Sequence, residues 1–400
     1  PSRAQQGIRL FPLALFLAGC AGTGPSPAPT PFPDPRRPPA TAAEARRAAD
    51  RAVAYLVAAQ NPDGSWGSFV QQKTEGIWHD TVASHRAWHV GSSALAALGL
   101  LEAEPLPPDG EAALRRGAAF LVESGAVPRT SGGDIYAVWS AAYALRFLAR
   151  FLALHGEGEP LHGRAEEAAR RIRDLLLSFQ SERGGWGYYD WGAGARTPAG
   201  EAGTSFAPAT ALLSLWDLRA AGVEVPDVRI RSGATYLRGL RFPRPSYAYS
   251  NPWRYYPHGR INHVEGSLAR TPGCELALHL WTGEPGTDAL YSALDTFLRE
   301  HRYLEAGLGR PYPHEAWYAI SGYFYLYGHM YAARAVEALP EGTRGPYLGP
   351  LAACLTRIQN DDGSCWDFPF YSYHKAYGTG CALAALGTLL RHEGEWGPTP

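Results

Sequence analysis

One segment recurs along the chain and dictates most of what it can fold into. Leu56 to Trp66 (LVAAQNPDGSW), Leu176 to Trp186 (LLSFQSERGGW) and Leu355 to Trp366 (LTRIQNDDGSCW) each read leucine, three residues, glutamine, a polar turn reaching glycine, then tryptophan. The third carries one extra residue, Cys365, before its tryptophan. Weaker copies of the same helical rhythm end at Phe120-Leu121, Tyr236-Leu237 and Phe297-Leu298. The leucines at 56, 121, 176, 237, 298 and 355 therefore mark six units of roughly sixty residues. A fixed period of this kind means one supersecondary unit stacked on its own copies.

Each unit holds two helical patterns of different character. The first is amphipathic, as in Ala42 to Ala59 and Arg164 to Phe179, where Arg and Glu form one stripe and Leu, Tyr or Phe the other. Such a helix faces water on one side. The second is apolar nearly all round, as in Ser93 to Leu101, Ala207 to Trp216, Cys274 to Trp281 and Cys381 to Leu390, and must be enclosed by protein. Six outer and six inner helices in alternation predict an all-α fold, an (α/α)6 barrel or toroid over residues 41–393 with a short tail at 394–400. An open helical superhelix is the alternative, and it would need polar capping repeats that ring closure makes unnecessary.

The glutamine–glycine–tryptophan signature resembles the QW motif of squalene and hopene cyclases, shared more loosely with protein prenyltransferases. It stands here as Gln60 with Trp66, Gln180 with Trp186 and Gln359 with Trp366, and the resemblance spans roughly residues 45 to 392. Its implication is the toroid fold. These six residues read as structural staples, the amide meeting free carbonyls at the outer helix end and the indole covering the junction to the next hairpin.

The first twenty residues read as a targeting segment, with Arg3 and Arg9 ahead of an apolar run from Leu10 to Leu17 that is too short to span a bilayer. It ends in Leu17-Ala18-Gly19-Cys20, which resembles the lipobox of bacterial lipoproteins, so Cys20 is the expected lipidation site. Residues 21–40 alternate Pro with small residues and read as an extended tether. Together they predict a lipid-anchored protein of the cell envelope, facing periplasm or cell surface, with the bilayer as partner. Four further cysteines remain, Cys274, Cys354, Cys365 and Cys381, for which at most one disulfide is expected, within the last repeat. With 37 Lys and Arg against 38 Asp and Glu, no field exists to hold a nucleic-acid backbone.

In a closed ring the inner helices run parallel, so the segments preceding them gather at one mouth. Helix N-termini there favour anionic ligand groups. The expected ligand-binding residues are His89, Asp134, Tyr136, Arg270, Tyr318 and Tyr377, and the expected acid–base set is His314, Glu315, His374 and Glu275. No cofactor is implied. A metal held by His79, His85 and His89 is the one option, since His85 and His89 stand one helical turn apart. The long connector Arg241 to Glu265 is rich in Tyr, Trp, Arg and Pro and is expected to cap a mouth, with Gly187 to Gly203 as a second rim carrying Asp190 and Glu201.

The catalytic signatures of the resembling families fail on this chain. No Asp-x-Asp-Asp tetrad occurs; Asn360-Asp361-Asp362 lies inside the repeat turn. Glu315 and Trp317 stand where a zinc prenyltransferase has its Asp and Cys ligands, with His374 resembling the downstream His, so the thiolate is missing. A thioester is excluded because Ala277 follows Cys274 at the position needing Gln. Three readings follow: binding of a small molecule, glycan or envelope partner without turnover; a polysaccharide lyase or hydrolase using mouth His, Glu and Tyr; or an isoprenoid-processing enzyme with displaced catalytic residues.

Overall fold

The computed structural model describes residues 38–70, 81–103, 105–131, 134–187, 203–251, 255, 259–314 and 317–397. Cys20, its targeting segment and the tether up to residue 37 lie outside the described residues. The outer helices are α1 (Ala42–Ala58), α3 (Pro108–Ser124), α5 (His162–Ser178), α7 (Asp227–Gly239), α10 (Thr287–Arg299) and α13 (Gly345–Arg357). The inner ones are α2 (Val82–Glu102), α4 (Ala137–Leu154), α6 (Phe206–Ala220), α9 (Thr271–Thr282), α12 (Phe324–Glu337) and α14 (His374–Leu390). Short helices α8 (Val264–Ser267) and α11 (Arg302–Gly307) lie in connectors. Inner helices pack in chain order and α14 returns to α2, while α1 meets α13 and α3. The fold is the all-α, six-hairpin toroid.

Sequence explains each layer. Helix α1 begins at a capping box in which the Glu44 amide donates to Thr41 Oγ1 and the Thr41 amide to Glu44 Oε2. Helix α5 buries Ala165, Ala168, Ala169, Ile172 and Leu176 along one stripe and carries the pairs Glu166–Arg170 and Glu167–Arg171 on the other. Helix α2 is buried continuously from Val90 to Glu102. Its closeness to α14 depends on glycine: a Cβ on Gly99 would lie 2.7 Å from the Gly380 carbonyl oxygen. Helix α4 is long and apolar enough to cross a membrane, but 83% of that stretch is buried inside the ring.

The repeat turn works differently from its sequence reading. Gln60 Nε2 donates to Gly64 O in its own turn and to Ala113 O on the next outer helix, at 3.0 and 2.8 Å. Gln180 does the same to Gly184 O and Arg229 O, and Gln359 to Gly363 O and Ala48 O. The last bond joins unit six to unit one and closes the outer ring. The free carbonyl of the outer helix end is met by the indole instead: Trp66 Nε1 donates to Leu56 O at 2.7 Å and Trp186 Nε1 to Leu176 O at 2.8 Å.

Trp366 is not the third such staple. Cys365 holds that position, its amide donating to Thr379 Oγ1 as the Trp66 amide donates to Ser93 Oγ, both at 2.9 Å. No residue is inserted. Gly117 and Gly233 leave room for the indoles of Trp66 and Trp186, whereas the matching position on α1 is Ala52, fully buried. A small side chain has replaced the large one where the facing glycine became alanine. Unit five shows a smaller correction, since Phe297 rather than Leu298 is the fully buried residue. All four described cysteines are buried and free, so the last-repeat bridge does not form. Both chain ends of the domain are fastened, Trp396 Nε1 donating to Ala40 O at 2.8 Å.

Candidate functional site at the mouth of the ring

The C-terminal ends of the inner helices gather at the face opposite the mouth, and arginines meet their partial negative charges there. Arg334 binds Asp217 at 2.6 Å, with Arg146 3.5 Å from the other oxygen. Glu102 binds Arg150 and Arg391, and Arg391 also reaches Glu337. Burial would raise the Glu102 carboxyl, but Arg391, Arg150 and Arg146 outweigh it and hold it at about 2. Above this floor, side chains from facing inner helices meet across the ring. Trp139 stacks on Tyr143 and Phe206 and meets Tyr327 edge-on, Tyr327 packs on Tyr331, and Arg146 lies over the Tyr331 ring. Thr210 and Tyr327 hydroxyls meet across the ring at 3.2 Å.

The mouth is lined by aromatic rings, of which Trp88, Tyr249, Tyr323 and Tyr371 are partly covered and the rest buried. Trp88 rests on Tyr136, Phe370 and Tyr377 at 4.9, 4.8 and 5.7 Å between centroids, and its indole N–H has no acceptor among the described residues. Tyr371 meets His85 and Phe370. On the other side Tyr249 meets His314 and Phe206, and Tyr323 meets Phe324 and Phe368. Among the described residues, five other than glycine adopt the left-handed backbone: Tyr136, His314, Tyr318, Ala319 and Tyr371. All five lie in segments preceding inner helices. Each such conformation costs roughly 1–3 kcal/mol and persists where surrounding structure enforces it, typically at binding or active sites.

Several residues expected to bind ligand are occupied in holding the mouth together. Asp134 accepts from Thr81 Oγ1 at 2.7 Å, Thr130 Oγ1 at 2.8 Å, Ser131 N at 2.8 Å and Ser131 Oγ at 3.0 Å, and also from the Thr130 amide. Burial opposes these bonds, yet they hold its carboxyl at about 2, and its lone pairs are spent on the loop. Arg270 is fully buried and donates to Gly266 O, Ile261 O and Tyr247 O, pinning the long connector rather than waiting for an anion. Glu275 is also fully buried, bound to Arg241 Nε at 2.8 Å beside Tyr247; burial raises its carboxyl and Arg241 pulls it back.

Of the remaining expected residues, His89 faces the Gln60 turn, its Nε2 3.0 Å from Ser65 Oγ. Burial lowers its proton affinity, with Asp63 opposing. Tyr318 packs on His263 and Tyr303. His314 does sit at the mouth, with Nδ1 donating to Ala319 O at 2.8 Å and Nε2 3.4 Å from the Tyr323 hydroxyl. Burial lowers its proton affinity, a tendency the Ala319 carbonyl opposes and Arg270 reinforces. His374 Nδ1 donates to Tyr371 O at 2.6 Å and its ring meets Trp366. Glu275, His314 and His374 thus engage three separate sets of neighbours; Glu315 and His79, like Asp190 and Glu201, lie outside the described residues. His85 and His89 point to different partners, and the one described grouping of metal-type donors is elsewhere, at His301, His329 and Cys354.

Sequence reasoning missed Asp367. It is fully buried, with Oδ1 accepting from the Tyr377 hydroxyl at 2.6 Å and Oδ2 from the Leu326 amide at 2.8 Å, in the first turn of α12. Burial lifts its carboxyl to about 7 against the pull of Tyr377 and the backbone amides. A group poised near neutrality can donate or accept a proton, and Tyr377 connects it to Trp88 at the rim. The one signal in the sequence was the turn itself, where the first two copies place Gly67 and Gly187 after Trp and the third runs on to Asp367.

No family model and no curated relative matches the chain. Solved structures do. A type II terpene cyclase from Scytonema, bound to geranylgeranyl dihydroxybenzoate, aligns with a TM-score of 0.51 and 12% identity over 88% of this chain and 98% of its own. An α-1,6-mannanase from Salegentibacter in complex with α-1,6-mannotetrose gives 0.53 and 10% over 88% and 99%. Cellobiose 2-epimerase from Spirochaeta thermophila gives 0.52 and 14% over 84% and 93%. At such identities the likeness is one of architecture, and it places this chain among the α/α toroids.

Proposed function

We propose that this protein is a lipid-anchored envelope toroid that binds a glycan at its aromatic mouth. The observation that carries the reading is the left-handed backbone at Tyr136, His314, Tyr318 and Tyr371 beside the partly covered rings of Trp88, Tyr249, Tyr323 and Tyr371, above side chains that meet across the ring. Sugar rings present flat C–H faces that pack on aromatic side chains. A polyprenyl chain asks for a deep dry cavity, and Trp139, Phe206 and Tyr327 occupy that space. Two of the toroid relatives described above act on sugars, which favours the same class of ligand by analogy of fold. The anchor rests on Cys20 and the proline-rich stretch after it.

The test is calorimetric titration of the purified full chain with a panel of neutral and uronic-acid oligosaccharides. The reading expects saturable binding that Trp88→Ala and Tyr371→Ala each weaken about tenfold, a loss of about 1.4 kcal/mol. Absence of binding across the panel, or binding indifferent to both changes, would refute it.

A second reading, turnover of the bound glycan, has one observation in its favour: the Asp367 carboxyl near neutrality. It requires that Asp367→Asn abolish bond cleavage while oligosaccharide affinity stays unchanged.

A further inference from the structure

Away from the mouth, between the inner and outer layers, three donor side chains from three segments converge. His301 caps the start of α11, His329 lies in the middle of α12, and Cys354 lies in α13. All three are buried, and one donor atom from each lies within 4.8 Å of the others. The two Nε2 atoms face each other at 3.0 Å, and Cys354 Sγ is 4.0 Å from His301 Nδ1. We propose that His301, His329 and Cys354 form a binding site for one soft or borderline transition-metal ion, of the zinc(II) class, clipping α12 to α11 and α13.

Proton placement makes the case. His329 Nδ1 lies 2.8 Å from the Tyr325 carbonyl and is its donor, so the neutral ring presents a lone pair at Nε2. His301 Nδ1 lies 3.2 Å from Glu305 Oε1. If His301 carries its proton at Nδ1 to serve Glu305, two lone pairs oppose each other at 3.0 Å. If it carries the proton at Nε2 to serve His329, a lone pair opposes the Glu305 carboxylate. No neutral arrangement satisfies both contacts. A cation between the rings does, and the arrangement then has the parts of a metal centre: each ligating imidazole turns its second nitrogen to a carbonyl or a carboxylate.

The geometry suits the ion. Zinc–nitrogen bonds of about 2.0–2.1 Å reach two nitrogens 3.0 Å apart at an N–Zn–N angle of about 95°, below the tetrahedral value. Two imidazoles and a thiolate select zinc or copper over magnesium or calcium, which prefer oxygen. Phe297 and Tyr325 rings surround the pair and exclude competing water. Three protein donors leave one coordination position open. A proton shared between the histidines is the rival occupant, with Cys354 Sγ facing the charged His301 ring at 4.0 Å, and metal titration separates the two.

The experiment uses the full chain, stripped with chelator and titrated with cobalt(II) as a spectroscopic stand-in for zinc. One cobalt per chain with a sulfur-to-metal charge-transfer band is expected. Cys354→Ser should abolish that band, and Cys381→Ser, which removes a buried thiol elsewhere in the fold, should leave it intact. Glu305→Gln keeps the three ligands and should weaken cobalt binding about 10–100-fold; it decides the matter if Cys354→Ser does not fold. Absence of stoichiometric binding, a band that survives Cys354→Ser, or affinity unchanged by Glu305→Gln would overturn the proposal in favour of the shared proton.

Discussion

Gln359→Ala probes ring closure from a single side chain. In the closed ring this amide donates two bonds, at 3.0 Å to Gly363 O and at 2.8 Å to Ala48 O on the first outer helix, and its oxygen accepts from Arg51. A neutral hydrogen bond contributes about 1 kcal/mol net, and the exposed Arg51 contact adds little. The expected loss is about 2 kcal/mol, matching Gln60→Ala, whose amide makes the same pair of bonds. In an open superhelix Ala48 would be out of reach, and Gln359→Ala would cost about half as much. For a folded part of about 360 residues the unfolding entropy is about 0.75 kcal/mol/K, so 2 kcal/mol lowers Tm by about 3 °C. Thermal and urea unfolding followed by circular dichroism on both variants measure the difference. A Gln359→Ala penalty near half that of Gln60→Ala would refute closure.

Other outcomes follow from the same contacts. Cys365→Trp should destabilise the chain by overpacking against Ala52, by roughly 1–3 kcal/mol, and adding Ala52→Gly should recover most of that in urea unfolding. Asp367, raised from 3.8 to about 7, binds its proton more tightly folded than unfolded. Stability should therefore fall between about pH 4 and pH 7, by up to about 4 kcal/mol, and Asp367→Asn should flatten that slope. Glu102, lowered to about 2, works in the opposite sense, its contribution being present above about pH 4.5 and lost as pH falls through 2. Ala319→Gly should raise stability by about 1 kcal/mol, because φ is 57° there and glycine adopts that backbone without strain.

The fold was legible because its signal is periodic and redundant: an apolar inner helix and a striped outer one recur in every unit, and burial against neighbours is what those patterns demand. The mouth was less legible. Periodicity located Asp134, Arg270 and Glu275 near the starts of inner helices, but sequence spacing carries no information on partners. Asp134 binds its own loop, and Arg270 and Glu275 fasten the connector folded over them. Asp367 was hidden because its neighbours, Tyr377 and Leu326, come from other segments, and its burial is a tertiary fact. Trp366 misled for a similar reason. The motif counts residues, whereas the turn fixes a position, and Ala52 on a distant helix decides which side chain fits there.

The central claim is that the lumen is closed and the aromatic mouth holds a sugar. A crystal structure of the full chain, grown with the tightest-binding oligosaccharide of the panel, tests it most directly. The account predicts sugar density lying over Trp88 and Tyr371, with Trp139, Phe206 and Tyr327 still in contact beneath it. Ligand density inside the ring, between Trp139 and Tyr327, would contradict it.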